Sequence, residues 1–282
     1  MTYTFKDIAV FFDTGETGLR VLDIAASLAG NQQAHLIAMT TATADEGPPA
    51  DHFARGAAIS EVIARRSASA AAHISRAGQL LAKFAARHGT DNTELRVIAS
   101  TESAGESLLH ALYCDLLVIG HPEPHGAPHA WSLDQVLHRA GVPVLILPDA
   151  WAGQKLGQRI TVAWNASRPA RRALADAMPL LCRAQEVQLL IVDADRQGDV
   201  HGEEPGADIA AYLARHGVQV ELQCLVSRGR PVVEVIEEQA RHNRADLVVF
   251  GAYSRSRISE TVFGGVTRHM LSHAPLPLFV SH

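Results

Sequence analysis

Two stretches 152 residues apart carry the same pattern, and that repetition restricts the chain to architectures that can be built twice. Strand-like DIAVFFDTG (Asp7 to Gly15) leads into helical LRVLDIAASLAG, and RITVAWNAS (Arg159 to Ser167) leads likewise into ARRALADAMPLL. The shift superposes Ile8 on Ile160, Val10 on Val162, Asp13 on Asn165 and Leu22 on Leu174. Each half continues with an apolar run, HLIAMT or VQLLIVDAD, and then a helical stretch, long and Ala-rich over Ala57 to Arg87 and shorter over Ala207 to His216. LRVIAS and VELQCLVS follow, each entering a short glycine turn (Ser103-Ala-Gly105; Arg228-Gly-Arg-Pro231). After a further helix come CDLLVIG (Cys114 to Gly120) and ADLVVFG (Ala245 to Gly251), and each half closes on a Pro-containing strand, GVPVLILP or PLPLFVS.

Short continuous apolar runs alternating with helical periods are the mark of parallel strands buried on both faces, hence an α/β fold. The expectation is two tandem domains, residues 1–149 and 158–282, each a five-stranded parallel sheet sandwiched by helices. DAWAGQKLGQ (Asp149 to Gln158) is the linker. One continuous ten-stranded sheet is the alternative that the same pattern admits.

Composition narrows the function. Apolar residues make up 47% and charged residues 20%, normal for a globular chain, and a net charge of -5 gives no reason to expect nucleic acid or an anionic membrane as partner. No apolar stretch approaches the length of a membrane span and no leader pattern opens the chain. Three widely separated cysteines (Cys114, Cys182, Cys224) form neither a disulfide framework nor a metal motif, so the expected compartment is the cytoplasm.

The stretch GAYSRSRISETVFGG (Gly251 to Gly265) follows the apolar run ADLVVF. A glycine at a strand's carboxyl end lets backbone N–H groups approach phosphate oxygens, and the next helix start (Gly265, Val266, Thr267) adds donors and a positive dipole end. The same glycines also serve a tight strand-to-helix turn, so both readings stand. Asn165 likewise reads either as a ligand contact, with a donor and an acceptor, or as an Asx-turn or N-cap residue alongside Ser167.

The order of strand, Asp/Asn turn, helix, G-x-P turn, DLxVxG, glycine-spaced loop and VPVLxL strand resembles the universal stress protein family, twice over nearly the whole chain. Many members bind ATP through a G-x2-G-x9-G-[S/T] loop, and another branch lacks both loop and ligand. The resemblance maps that loop onto Gly251, Ser254, Gly264 and Gly265, with nine residues kept between Ser254 and Gly264. Ser254 stands where the family has glycine, and Gly265 where it has Ser/Thr; the lost hydroxyl contact is worth roughly 1 kcal/mol. Thr267 lies two residues on and offers another hydroxyl, and Arg255 and Arg257 read either as phosphate-neutralising or as solvated loop arginines. Asn165 falls at the family's nucleoside-holding aspartate, and Val192 with Asp193 at the strand end that flanks adenine.

In the first half Asp13 matches the family aspartate, but Gly120 is followed by HPEPHGAPHAWSLDQVLHRAG, without a glycine pair. Pro122 and Pro124 remove N–H donors where a cradle needs them, so this loop is degenerate and the expected role of the half is structural. His121, Glu123, His125, His129 and His138 crowd there; His121, His125 and His129 are the candidates for a metal, against the plainer reading of solvated histidines. Catalytic signatures are missing: no G-x-S-x-G, no G-x4-G-K-[ST], no C-x-x-C. Asp246 recurs as Asp115 and reads as structural, so at most slow ATP hydrolysis is expected.

The resemblance implies a stress-response protein binding ATP or a related adenine nucleotide, with Mg²⁺ as companion ion, mainly in its second half. It would act by ligand-linked regulation or protection, its halves forming an intramolecular pseudo-dimer and two chains a homodimer. The alternatives are a nucleotide-free protein-interaction module of the same fold, and a metal-binding protein using the first-half histidines.

Overall fold

The computed structural model describes residues 3–42, 57–98, 109–122, 132–153, 155–195, 203–253, 265–273 and 276–282. Two compact units emerge, Phe5–Ala140 and Gly141–His282, with Met1–Thr4 counted in the second.

In the N-terminal unit the described elements are β1 (Asp7–Phe11), α1 (Glu16–Gln32), β2 (His35–Thr41), α2 (Ala57–His88), β3 (Thr93–Ile98), β4 (Leu116–His121) and α3 (Leu133–Arg139). The sheet order is β3-β2-β1-β4, all parallel. Ile8, Ala9 and Val10 of β1 are fully buried, as expected of a strand covered on both faces.

In the C-terminal unit follow β5 (Val144–Pro148), β6 (Arg159–Ala163), α4 (Arg168–Asp176), α5 (Met178–Leu181), β7 (Glu186–Val192), α6 (Ala207–Arg215), β8 (Val220–Leu225), α7 (Val232–His242), β9 (Leu247–Gly251), α8 (Gly265–His273) and β10 (Leu278–Ser281). Five parallel strands run β8-β7-β6-β9-β10. Strand β5, the run GVPVLILP that closes the first sequence repeat, pairs antiparallel with β10, Val144 opposite Val280. The unit therefore adds a sixth, reversed strand to the five expected from its own repeat.

The pairing registers superpose the two repeats: Phe11 faces Met39 as Ala163 faces Leu190. An aspartate does the same work in each. Asp115 Oδ2 accepts the backbone N–H groups of Lys6 (2.6 Å) and Asp7 (3.1 Å). Asp246 accepts those of Gly157 (2.9 Å), Gln158 (2.9 Å) and Arg159 (3.3 Å). Each carboxylate thus ties the entry of one central strand to its neighbour, which is the structural role read from their recurrence. Burial nonetheless pushes the Asp246 carboxyl up, outweighing the N–H groups that favour its ionised form. No helix among the described residues is long and apolar enough to cross a membrane.

Candidate functional site

Ligands of open α/β sheets gather beyond the carboxyl ends of the strands, where the crossovers part. In the C-terminal unit that place is a cavity of about 570 Å³ at the ends of β6, β7 and β9. Asn165, Val192, Gly251, Gly265, Val266 and Thr267 all line it. Six residues singled out in four separate stretches of the chain meet at one hollow. Ser254 and Gly264, with Arg255 and Arg257, lie outside the described residues.

Asn165 holds the first corner. Its Oδ1 accepts both the N–H (3.3 Å) and the hydroxyl (2.7 Å) of Ser167, an Asx turn, while Ser167 Oγ accepts the Ala170 N–H (3.2 Å) as N-cap of α4. Asx turn and N-cap are therefore both present, and the residue faces the cavity as well. In the N-terminal unit Asp13 Oδ1 makes the matching turn by accepting the Gly15 N–H at 2.6 Å.

Gly251 has a steric reason to be glycine. A Cβ there would sit 2.2 Å from the Ala170 nitrogen and from the Pro169 carbonyl carbon, so β9 and the start of α4 approach as closely as only glycine allows. Gly120 is less constrained, since its Cβ would meet Val21 Cγ2 at 3.2 Å. Gly265 differs from both: among the described residues, a side chain there would meet nothing within 4 Å.

The start of the loop after β9 is held from several sides. Ala252 donates its N–H to the Ser281 carbonyl (2.9 Å), Tyr253 takes a left-handed φ of 57°, and its ring packs edge-on against His282. Thr267, 5% exposed, accepts the Tyr253 N–H at 3.4 Å. A hydroxyl that accepts in this way retains a proton to donate.

Other lining residues carried no sequence signal of their own. Pro231, Val232, Val233 and Ile236, from the turn after β8 and the first turns of α7, add an apolar wall to the lining alongside Val192 and Phe250. Only the glycine turn in VSRGRP pointed there. His269 also lines the cavity, one helical turn beyond Gly265, with Nε2 3.4 Å from Glu237 Oε1 on α7. Asp193 and His269 are the titratable groups among the described lining residues.

Of the first-half metal candidates, only His121 falls among the described residues. His121 ends β4, His125 and His129 lie outside the described residues, and no group of three His, Cys, Asp or Glu suited to a metal occurs among the described residues.

The family model described as the universal stress protein family matches the chain twice, over residues 4–148 and 157–282. Solved structures share the fold across the full length. A universal stress protein from Archaeoglobus fulgidus DSM 4304 superposes with a TM-score of 0.70 at 17% identity, covering 98% of this chain and 97% of that one. A functionally unknown protein from Pseudomonas aeruginosa PAO1 gives 0.60 at 16% identity, covering 98% and 92%. A putative universal stress protein from Pseudomonas aeruginosa UCBPP-PA14 gives 0.58 at 17%, covering 98% and 93%. No curated protein sequence matches the chain.

Proposed function

Because the chain belongs to the universal stress protein family along both of its halves, we propose that it is a stress-response protein binding ATP or a related adenine nucleotide in its C-terminal unit. The observation that carries this reading is the convergence of Asn165, Val192, Gly251, Gly265, Val266 and Thr267 on one cavity. Its volume, about 570 Å³, falls in the range of small-molecule sites.

The base and ribose would lie between the apolar wall of Pro231, Val233 and Ile236 and the strand ends at Val192 and Phe250. The Asn165 carboxamide supplies polar contact at one end. Phosphates would turn toward Gly265, Val266 and Thr267, where helix backbone donors and dipole favour an anion. Mg²⁺ would be held chiefly by phosphate oxygens and water, the usual manner for this ion on nucleotides. Ligand binding stabilises whichever conformation holds this cavity closed, and that shift is the regulatory signal. The free thiols of Cys114, Cys182 and Cys224 fit a cytoplasmic setting.

A second reading is favoured by a specific observation. Gly251, Asn165 and Thr267 each already have a structural task, so the same fold can serve as a nucleotide-free interaction module. Gly265 separates the two readings, because an added Cβ there meets none of the described residues and the glycine lines the cavity. Thermal melting with ATP is the test. A ligand at about 100 times its Kd adds about 2.7 kcal/mol of stability. The wild-type protein is expected to melt higher in millimolar ATP, and Gly265→Glu to keep its own melting temperature while losing the ATP response. No response of the wild type to millimolar ATP, ADP or AMP would leave the interaction module as the function.

A further inference from the structure

We propose that Asp193 and Ser227 form a positioning pair that sets the wall of the cavity, so that ligand affinity depends on a hydroxyl outside the cavity lining. The inference takes its ligand from the nucleotide reading above; its geometry stands independently.

Asp193 follows the last residue of β7 and takes a left-handed φ of 54°. Its carboxylate reaches across to the end of β8. Oδ1 accepts the Ser227 backbone N–H at 2.7 Å, and Oδ2 accepts the Ser227 hydroxyl at 2.6 Å. Both are hydrogen bonds to a charged acceptor, the strong kind. Ser227 is 3% exposed, while Asp193 is half-buried at the cavity edge.

Ser227 opens the turn that leads into the α7 part of the lining. The Arg230 N–H returns to the Ser227 carbonyl at 3.0 Å, with Arg228 at φ 53° and Gly229 at φ 84° between them. Positive φ at both central positions is the type I′ pattern, which Gly and Asn favour and Arg does not. A non-glycine residue stays in that region only when its surroundings hold it there. The turn delivers Pro231, N-cap of α7, whose carbonyl accepts the Glu234 N–H at 3.0 Å. Pro231, Val232, Val233 and Ile236 then face the cavity from the helix start.

Asp193 itself lines the cavity, while Ser227 does not. The pair therefore fastens the end of β7 to the start of α7, the two sides between which a base would lie. The other repeat provides a comparison. Met39 and Leu190 hold the same register position, so three residues on, Ala42 stands where Asp193 does. At that position the C-terminal repeat has a carboxylate and the N-terminal repeat has none.

Ser227→Ala removes the hydroxyl bond without touching the lining, and Ser227→Thr restores a hydroxyl. Asp193→Gly removes the carboxylate while tolerating the left-handed backbone. Dissociation constants for ATP and for adenosine are measured by calorimetry on all three variants and on Ser227→Ala with Asp193→Gly. Ser227→Ala is expected to weaken both ligands by the same factor, about tenfold, because the wall holds the nucleoside end rather than the phosphates. Ser227→Thr should recover the wild-type affinity, and the double variant should be no weaker than Asp193→Gly alone. Wild-type affinity in Ser227→Ala, or failure of Ser227→Thr to recover it, overturns the proposal. If the wild type binds neither probe, the nucleotide reading falls by itself, and amide hydrogen exchange over residues 228–233 judges the pair. Faster exchange there in Ser227→Ala upholds the positioning role; unchanged exchange overturns it.

Discussion

Gly251 and Gly265 bracket one glycine-rich stretch, yet the space around their Cα atoms sets them apart. A methyl on Gly251 would fall inside the backbone of Pro169 and Ala170, whereas one on Gly265 meets none of the described residues within 4 Å. Gly251→Ala is therefore expected to destabilise the protein by about 1–3 kcal/mol or more, read as a lowered denaturation midpoint, with or without ligand. A loss of binding in that variant would say nothing about phosphate, which is why Gly265 is the informative position. The two roles of Gly251 cannot be told apart in a string of letters, because the atoms it must avoid lie some eighty residues earlier in the chain. Asn165 shows the opposite case. Its bond to Ser167 spans two residues, so the Asx turn was one of the two readings that NAS alone offered.

At the scale of elements, α4 does two tasks. Ser167 caps its first turn, and that turn presses against Gly251 of β9. Ser167→Ala should cost about 1 kcal/mol through the lost cap, visible as a lower midpoint in urea with unchanged slope. No change in midpoint would mean that the backbone contact with β9, not the cap, fixes the helix start. Strand β8 was legible as an element from VELQCLVS, but not its exposure: none of its residues is fully buried, and Leu222 is 38% exposed. The wall built by the first turns of α7 was not legible. Pro231 to Ile236 carry the ordinary amphipathic pattern of a helix, and nothing in that pattern says which apolar side chain faces a hollow instead of the core.

At the scale of the whole molecule, charge and burial set the response to pH. Arg96 grips Glu94 with Nε at 2.8 Å and Nη2 at 3.0 Å, and those hydrogen bonds hold its carboxyl below the usual carboxylate range. A folded-state value lower than the unfolded one gives stability that is present above the unfolded value and lost as the pH falls through the folded one. The melting temperature should therefore drop as acid is added through the carboxylate range, and Glu94→Gln should flatten part of that drop. With Glu94 44% exposed, solvent screening keeps the contribution small. An identical profile in Glu94→Gln would assign the acid response to other carboxylates. The Cys114 thiol, by contrast, is pushed up to about 12 by burial and stays protonated over the whole accessible range.

The repeat, the alternation of parallel strands with helices, the Asx turn as one of two readings of Asn165, and the structural character of Asp115 and Asp246 were legible in the sequence alone. Each rests on local periodicity or on a pattern that recurs in the second half, and such regularities survive in one dimension. Tertiary structure alone decided three things: the antiparallel seat of β5 beside β10, the steric need for Gly251, and the Asp193–Ser227 bond. All three join atoms tens to more than a hundred residues apart, and their geometry depends on how strands register and helices dock. Convergence of Asn165, Val192 and the Gly265 helix start lies between these cases. The residue types were visible in the chain, and the crossovers of a parallel sheet brought their ends together.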